Sequence, residues 1–81
     1  MKNYDEIALR ILEDVTETEG LDEDKDLNLF EAGLLDSMAI ISMILSIEDE
    51  VGLKLEPTDF TRDDVRSVNC LAEFLRKRVG D

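Results

Sequence analysis

The helix start that organises this sequence lies in the stretch Gly33-Leu34-Leu35-Asp36-Ser37-Met38-Ala39-Ile40-Ile41. Glycine favours a turn, and aspartate is one of the preferred N-cap residues of helices. We therefore predict a helix that begins at Ser37, is capped by Asp36, and carries the Ser37 hydroxyl in its first turn. The apolar run behind the serine continues to Val51, and Gly52 follows as a C-cap residue.

Two apolar arcs lie along this predicted helix at about 100° per residue. The arc predicted to face the core contains Ile40, Met43, Ile44, Ile47 and Val51. The second arc consists of Met38, Ile41 and Leu45, with Glu48 and Asp49 beside it. A helix that buries one face does not need the second arc. Leucines of the preceding loop could cover it, or it could be an exposed strip, rimmed by acids, on which a partner docks.

Apolar residues recur at helical spacing near both ends of the chain. Residues 3–15 are predicted to form a helix with Asn3 as its cap, and its stripe is Tyr4, Ile7, Ala8, Ile11, Leu12 and Val15. A last helix is predicted from Val68 to about Val79, with Ser67 as its cap. Residues 58–60 can start a short helical turn after Pro57, and Cys70 is interpreted as a half-buried filler.

The segment from Thr16 to Asp36 is acidic and lacks helical periodicity. Its leucines predict a loop that packs across the helices rather than one that extends into solvent. Asp22, Asp24 and Asp26 resemble the start of a calcium-binding loop, which needs glycine at the sixth position and glutamate at the twelfth. Leu27 and Gly33 occupy those positions, so a solvated acidic loop is the favoured interpretation over a calcium sensor.

Composition excludes several classes of function. Of the 81 residues, 43% are hydrophobic, which predicts a single domain over residues 1–81 with its own core. The net charge of −12 disfavours nucleic acid as a partner and favours basic protein surfaces. No apolar run is long enough to insert into a membrane, and the N-terminus lacks a signal-peptide pattern. A single cysteine fits a reducing cytoplasm.

The residues offer little for catalysis. The chain has no histidine, so a Ser-His-Asp arrangement is impossible, and no zinc-binding cluster or phosphate-binding glycine loop is present. The sequence therefore predicts a protein that is not an enzyme and that holds no metal. At a helix N-terminus, Ser37 is well placed to carry an anion such as a phosphate. It could equally be a structural serine next to the cap, and the residues alone leave both interpretations open.

The stretch from Leu29 to Met38, Leu-Phe-Glu-Ala-Gly-Leu-Leu-Asp-Ser-Met, closely resembles the attachment motif of the acyl and peptidyl carrier protein family. In that family an Asp-Ser pair opens the second helix, and the similarity extends over nearly the whole chain. The resemblance implies an all-α, four-helix acyl-carrier-type bundle. It also implies a long loop between helices 1 and 2 and a short third helix.

The resemblance also implies a function. Ser37, flanked by Asp36 and Met38, would receive 4′-phosphopantetheine from coenzyme A, and the terminal thiol would hold an acyl or aminoacyl group as a thioester. The implied partners are a phosphopantetheinyl transferase, an adenylating ligase and a downstream acyltransferase that could be membrane-bound. Such partners would dock on Met38, Ile41, Leu45, Glu48 and Asp49. The chain itself is expected to be a cytoplasmic monomer.

The branch of the family is suggested by a few positions. Met38, in place of the leucine usual in fatty-acid carriers, and the stretch from Pro57 to Asp64 resemble the D-alanyl carrier proteins of teichoic-acid modification. Ala39 and Ser42 replace acids common in fatty-acid carriers, whereas Val65 departs from an aromatic residue frequent in D-alanyl carriers. D-Alanine is therefore the favoured cargo. A stand-alone acyl carrier of a fatty-acid or specialised pathway and an unmodified acidic adaptor remain the alternatives.

Overall fold

The computed structural model describes residues 3–80, which contain four α-helices and three short helical turns. The α-helices are α1 (Tyr4–Thr16), α2 (Ser37–Val51), α3 (Arg62–Val65) and α4 (Val68–Leu75). Two 3₁₀ turns span Leu21–Glu23 and Pro57–Asp59, and a π-helical turn spans Arg76–Gly80. No strand occurs within these residues, which confirms the predicted all-α architecture with a long first loop and a short third helix. The ends of the predicted domain, residues 1, 2 and 81, lie outside the described part.

Helix α1 forms as its apolar stripe predicts. The Asn3 side chain caps it by accepting a hydrogen bond from the Glu6 N–H at 3.1 Å. Tyr4, Ala8, Ile11 and Leu12 are buried in the core. On the exposed side, Arg10 donates to the Glu50 carboxylate of α2 at 2.6 Å. This hydrogen bond and the carboxylate charge raise the pKa of the Arg10 guanidinium above its usual value.

The loop between α1 and α2 is anchored to the helices by backbone hydrogen bonds and leucines. Leu21, Leu29 and Leu35 are all buried. The Leu29 N–H donates to the Arg66 carbonyl at 2.7 Å, and the Asn69 N–H donates to the carbonyl of Lys25 at 3.0 Å. The loop therefore packs against the start of α4, as predicted from its apolar residues.

The core lies between the inward faces of α1, α2 and α4. Met43, Ile44 and Ile47 of α2 are buried, and Ile40 and Val51 of the same predicted arc are partly buried. From α4 the buried side chains are Val68, Leu71, Ala72, Phe74 and Leu75. Gly52 ends α2 with φ +73°, a left-handed conformation that glycine adopts without a Cβ clash.

The segment between α2 and α4 holds more helix than residue patterns predicted. The helical turn expected at residues 58–60 is a 3₁₀ turn at Pro57–Asp59, and α3 begins separately at Arg62. A capping box starts α3, since the Asp64 carboxylate accepts from the Thr61 N–H at 2.9 Å. Val65 is fully buried and attaches this short helix to the core.

The last helix ends earlier than predicted. Its α-helical part stops at Leu75, and a π-helical turn continues to Gly80 instead of an α-helix to Val79. In this turn Arg78 lies 5.1 Å from the Phe74 ring centroid and donates to the Asp59 carbonyl at 2.6 Å. Phe74 in turn meets Phe60 edge-on, with ring centroids 5.9 Å apart. The end of the chain thereby fixes the position of the Pro57–Asp59 turn.

The large negative charge should reduce the stability of the folded chain through self-repulsion. Most of the acidic side chains are exposed, and the net charge is −12. We expect added sodium chloride, and divalent cations more strongly, to raise the melting temperature by screening this repulsion. Thermal unfolding followed by circular dichroism at increasing salt tests this expectation. A flat or falling melting temperature would contradict it.

Candidate site at the start of helix α2

The turn that leads into α2 is fixed by backbone hydrogen bonds to a buried leucine. The Leu34 and Leu35 N–H groups both donate to the Leu29 carbonyl, at 2.8 and 3.1 Å. Gly33 adopts φ +77°, which reverses the chain before them. Because Leu35 is buried and the Leu29 N–H is bonded to the carbonyl of Arg66 at the end of α3, the first turn of α2 has a defined position on the surface.

Asp36 caps α2 as predicted. It is extended, with φ −144° and ψ −172°, and its Oδ1 accepts from the Ala39 N–H at 2.9 Å. The carboxylate therefore faces the helix backbone and is not placed to act as a base for Ser37. The cap leaves the serine free of a structural role in helix initiation.

The Ser37 side chain is exposed, and its hydroxyl has no hydrogen-bond partner among residues 3–80. Ser67 is the contrasting case, because it is buried and its Oγ accepts from the Cys70 N–H at 3.1 Å to cap α4. Ser67 thus has the environment of a structural serine, whereas Ser37 has the environment of an accessible hydroxyl. The structure therefore gives Ser37 no visible role in holding the fold among residues 3–80.

Loss of the Asp36 cap should lower the free energy of unfolding without destroying the fold. Asp36→Ala leaves an N–H at the start of α2 without its acceptor, so we expect a loss of about 0.5–2 kcal/mol in the free energy of unfolding. Asp36→Asn keeps a capping oxygen and should stay near wild type. Urea unfolding of the three proteins gives the comparison. Equal losses in both variants would assign the effect to charge rather than to capping.

A surface cleft of about 320 Å³ opens beside Ser37. Ile40 and Ile41 line it from α2, while the opposite wall belongs to the segment between α2 and α3. Its lining residues are Ser37, Ile40, Ile41, Pro57, Phe60, Thr61 and Arg62. The cleft therefore combines an exposed serine, apolar walls and one arginine.

The second apolar arc of α2 is exposed. Met38 is 78% exposed, Ile41 51% and Leu45 63%, so the leucines of the loop do not cover it. Glu48 and Asp49 are exposed farther along the helix, and with Leu45 and Ser46 they line another open cleft of about 460 Å³. The predicted docking residues thus form one continuous strip that starts at Ser37.

Other candidate chemistry is not assembled in the part of the chain that the structure describes. No group of three potential metal ligands occurs there, and Asp26 of the possible calcium loop accepts from the Asn69 side chain at 2.7 Å. Cys70 is half-buried, as predicted. Within the same residues no helix has the length and apolarity needed to cross a bilayer.

Sequence reasoning did not assign Phe60, Thr61 or Arg62 to the site. Their position beside Ser37 depends on how the 57–62 segment folds back over α2, which no local pattern specifies. One available signal was the Thr61-Arg62-Asp63-Asp64 stretch, because threonine followed by an acid three residues later is a capping-box pattern. It predicts the start of α3 but not its neighbour in space.

Comparison with known proteins agrees with this geometry. Residues 7–75 match the sequence profile of the family described as "Phosphopantetheine attachment site". The chain belongs to this family. The match runs from the second turn of α1 to the end of α4 and includes the loop before Ser37, so the resemblance to carrier proteins is confirmed.

Curated relatives extend the similarity over most of the chain. The chain is 41% identical over 61 residues to a D-alanyl carrier protein of Enterococcus faecalis (strain ATCC 700802 / V583), covering 75% of this chain and 78% of the relative. It is 33% identical over 76 residues to the D-alanyl carrier protein of Abiotrophia defectiva, with 94% and 96% covered. The corresponding protein of Bacillus cereus (strain B4264) is 32% identical over 77 residues, with 95% and 98% covered.

Membership of the family establishes the class of function. The chain is a phosphopantetheine-dependent carrier rather than an enzyme, and its cofactor is covalent 4′-phosphopantetheine. The described residues fit such a group. An exposed serine hydroxyl can carry the phosphate, and the adjoining cleft of about 320 Å³ offers apolar walls and one cation beside it.

Proposed function

We propose that Ser37 is the residue that carries 4′-phosphopantetheine, in a single carrier domain spanning residues 1–81. The observation that supports this most strongly is the exposed Ser37 hydroxyl, which has no hydrogen-bond partner within residues 3–80 and lies at a capped helix start. Asp36 holds the helix backbone, and Met38 extends outward as the first apolar contact after the serine. When bound, the prosthetic group supplies a thiol that holds the cargo as a thioester.

The chain's own residues provide position and recognition. A helix N-terminus favours the negative charge of a phosphodiester, and the Asp36 cap leaves other first-turn N–H groups directed outward. The buried Leu35 and the Leu29 carbonyl keep this helix start in place while partner enzymes change. A fixed attachment point suits a carrier whose phosphopantetheine group, here called the arm, must reach several active sites.

D-Alanine, carried for teichoic-acid modification, is the cargo that we propose. The relatives that cover most of this chain are named D-alanyl carrier proteins, and the Met38 position supports the same branch. A fatty-acid or specialised acyl group is the alternative cargo. The exposed Ser42 and the half-exposed Ala39 present no acids to a basic partner at those two positions, which disfavours a fatty-acid role.

The partners follow from the carrier function. A phosphopantetheinyl transferase would load Ser37, an adenylating ligase would charge the thiol, and a downstream acyltransferase, which could be membrane-bound, would unload it. We propose that they share the strip formed by Met38, Ile41, Leu45, Glu48 and Asp49. The apolar part would bury against each enzyme, and the acids would steer toward basic surfaces. The carrier itself would act as a cytoplasmic monomer.

The cargo is tested with the loaded protein and purified adenylating ligases. We expect a D-alanine ligase with ATP and D-alanine to add one alanyl group. Hydroxylamine should release this group, because it cleaves thioesters. L-Alanine with the same ligase and fatty acid with an acyl ligase are the matched controls. Loading with fatty acid but never with D-alanine would reject the teichoic-acid branch and leave the carrier function in place.

The runner-up function, an unmodified acidic adaptor, uses the same exposed strip without Ser37. It predicts that binding of a basic protein survives Ser37→Ala with no prosthetic group present. A carrier predicts that transfer of cargo depends on Ser37 and fails without it. Pull-down and cargo-transfer assays on the same variant distinguish the two functions.

A further inference from the structure

The charge of the cleft beside Ser37 differs from that of two other clefts on the surface. In a chain of net charge −12, the cleft by Leu45 contains Glu48 and Asp49. A third cleft, of about 280 Å³ on the α3 and α4 side, contains three carboxylates and a single lysine. Among residues 3–80, the cleft beside Ser37 is lined by one charged residue, Arg62, and by no acid.

The Arg62 guanidinium is held in place by an aromatic ring and not by a carboxylate. Its central carbon lies 5.0 Å from the centroid of the Phe30 ring, in cation–π geometry. Arg10, Arg66 and Arg76 each pair with a carboxylate, at 2.6, 3.5 and 2.8 Å. Arg62 has no such partner among residues 3–80. Its N–H donors are therefore available to another anion.

We propose that Arg62 is the chain's own cationic contact for the phosphodiester on Ser37. This inference rests on the proposed attachment at Ser37. Guanidinium groups bind phosphate oxygens through paired, charge-assisted hydrogen bonds, and the phosphodiester brings one negative charge to a cleft that has only this cation. Arg62 is then a positioning residue that keeps the start of the arm in the cleft between α2 and the 57–62 segment.

The Phe30 contact would hold the Arg62 guanidinium in position for the phosphodiester. Phe30 belongs to the loop before α2 and packs partly against the core, so it supports the guanidinium from a fixed element. Arg62 is exposed, so its attraction to the phosphodiester is screened by salt and remains moderate. A moderate attraction suits an arm that must leave the cleft when a partner enzyme binds.

The test compares Arg62→Gln with Arg66→Gln, whose arginine pairs with Asp63 and does not line the cleft. Each protein is loaded with coenzyme A and a phosphopantetheinyl transferase, and intact mass confirms the loading. We expect the ³¹P resonance of the phosphodiester to shift in Arg62→Gln and to stay at the wild-type position in Arg66→Gln. In ¹H–¹⁵N spectra, loading should move the Arg62 side-chain N–H signal of the wild-type protein, and high salt should reduce that change.

The outcomes separate the two proposals. If wild-type protein gains no phosphopantetheine mass, the attachment at Ser37 and the role of Arg62 both fail. A second outcome is complete loading in which the ³¹P resonance of Arg62→Gln equals that of the wild type and loading leaves the Arg62 side-chain signal unmoved. In that case only the role of Arg62 fails. Unfolding of the unloaded variants checks that each substitution leaves the fold intact. Loss of the Phe30 contact alone should not move the phosphorus resonance.

Discussion

Replacement of Ser37 by alanine is expected to abolish the addition of phosphopantetheine completely. The hydroxyl oxygen is the atom to which the phosphate would be attached, and alanine has none. Ser42→Ala is the matched control, because Ser42 is also exposed and lies on the same helix. We expect Ser42→Ala to be loaded like the wild-type protein. The measurement is intact mass after incubation with coenzyme A and a phosphopantetheinyl transferase.

The same substitution should leave the fold intact. Asp36 rather than Ser37 caps α2, and the Ser37 hydroxyl has no partner in the described part of the chain. Alanine has a higher helix propensity than serine, so the free energy of unfolding should stay within about 0.5 kcal/mol of wild type. Loading of Ser37→Ala, or loss of loading in Ser42→Ala, would place the attachment elsewhere and contradict the proposal.

The second large effect contrasts the two apolar faces of α2. Ile47 is fully buried, whereas Leu45, two residues earlier, is 63% exposed. Ile47→Ala leaves a cavity in the core and should cost about 2–5 kcal/mol of unfolding free energy. At about 4–8 °C per kcal/mol for a domain of this size, the melting temperature falls by ~8 °C or more. Thermal unfolding measures the loss directly.

Leu45→Ala should behave in the opposite way. Its stability should remain within about 0.5 kcal/mol of wild type, because little of the side chain is buried. If the exposed strip docks partner enzymes, the variant should raise the KM of the transferase for the carrier while kcat changes less. A large loss of stability in Leu45→Ala, or unchanged kinetics with every partner, would contradict the docking proposal.

Much of the architecture could be predicted because periodicity and caps are local signals. Asn3, Asp36 and Ser67 each cap the helix that the sequence predicted. The buried faces of α1 and α2 match the apolar stripes, because a helix with one apolar side has one favourable orientation against a core. The leucines of the first loop likewise indicated that it packs rather than extends.

Features that depend on distant parts of the chain could not be predicted in this way. The exposure of Met38, Ile41 and Leu45 depends on where the leucines of the first loop pack. The sequence pattern was compatible with a covered arc and with an exposed one. The π-helical turn after Leu75 accompanies the hydrogen bond from Arg78 to the Asp59 carbonyl, and Asp59 lies far from Arg78 in sequence. The cleft beside Ser37 has the same origin, since its second wall is the Pro57–Arg62 segment.

Ser37, the proposed attachment residue, could be predicted from the sequence only in part. Residue patterns placed Ser37 at a helix start but could not distinguish a structural serine from a modified one. The structure provides a direct comparison, because Ser67 is buried and bonded while Ser37 is exposed and unpaired within residues 3–80. The family match then identifies the covalent group that such a hydroxyl would carry.

Phosphopantetheine on Ser37 is detected most directly in the intact mass of the protein purified from its native host, before and after hydroxylamine. We predict a mass larger than that of the chain by one phosphopantetheine group, with a fraction carrying a further acyl or aminoacyl group that hydroxylamine removes. Fragmentation should place the modification on the peptide that contains Ser37. A native protein with the unmodified mass, or with the group on another residue, would rule out attachment at Ser37.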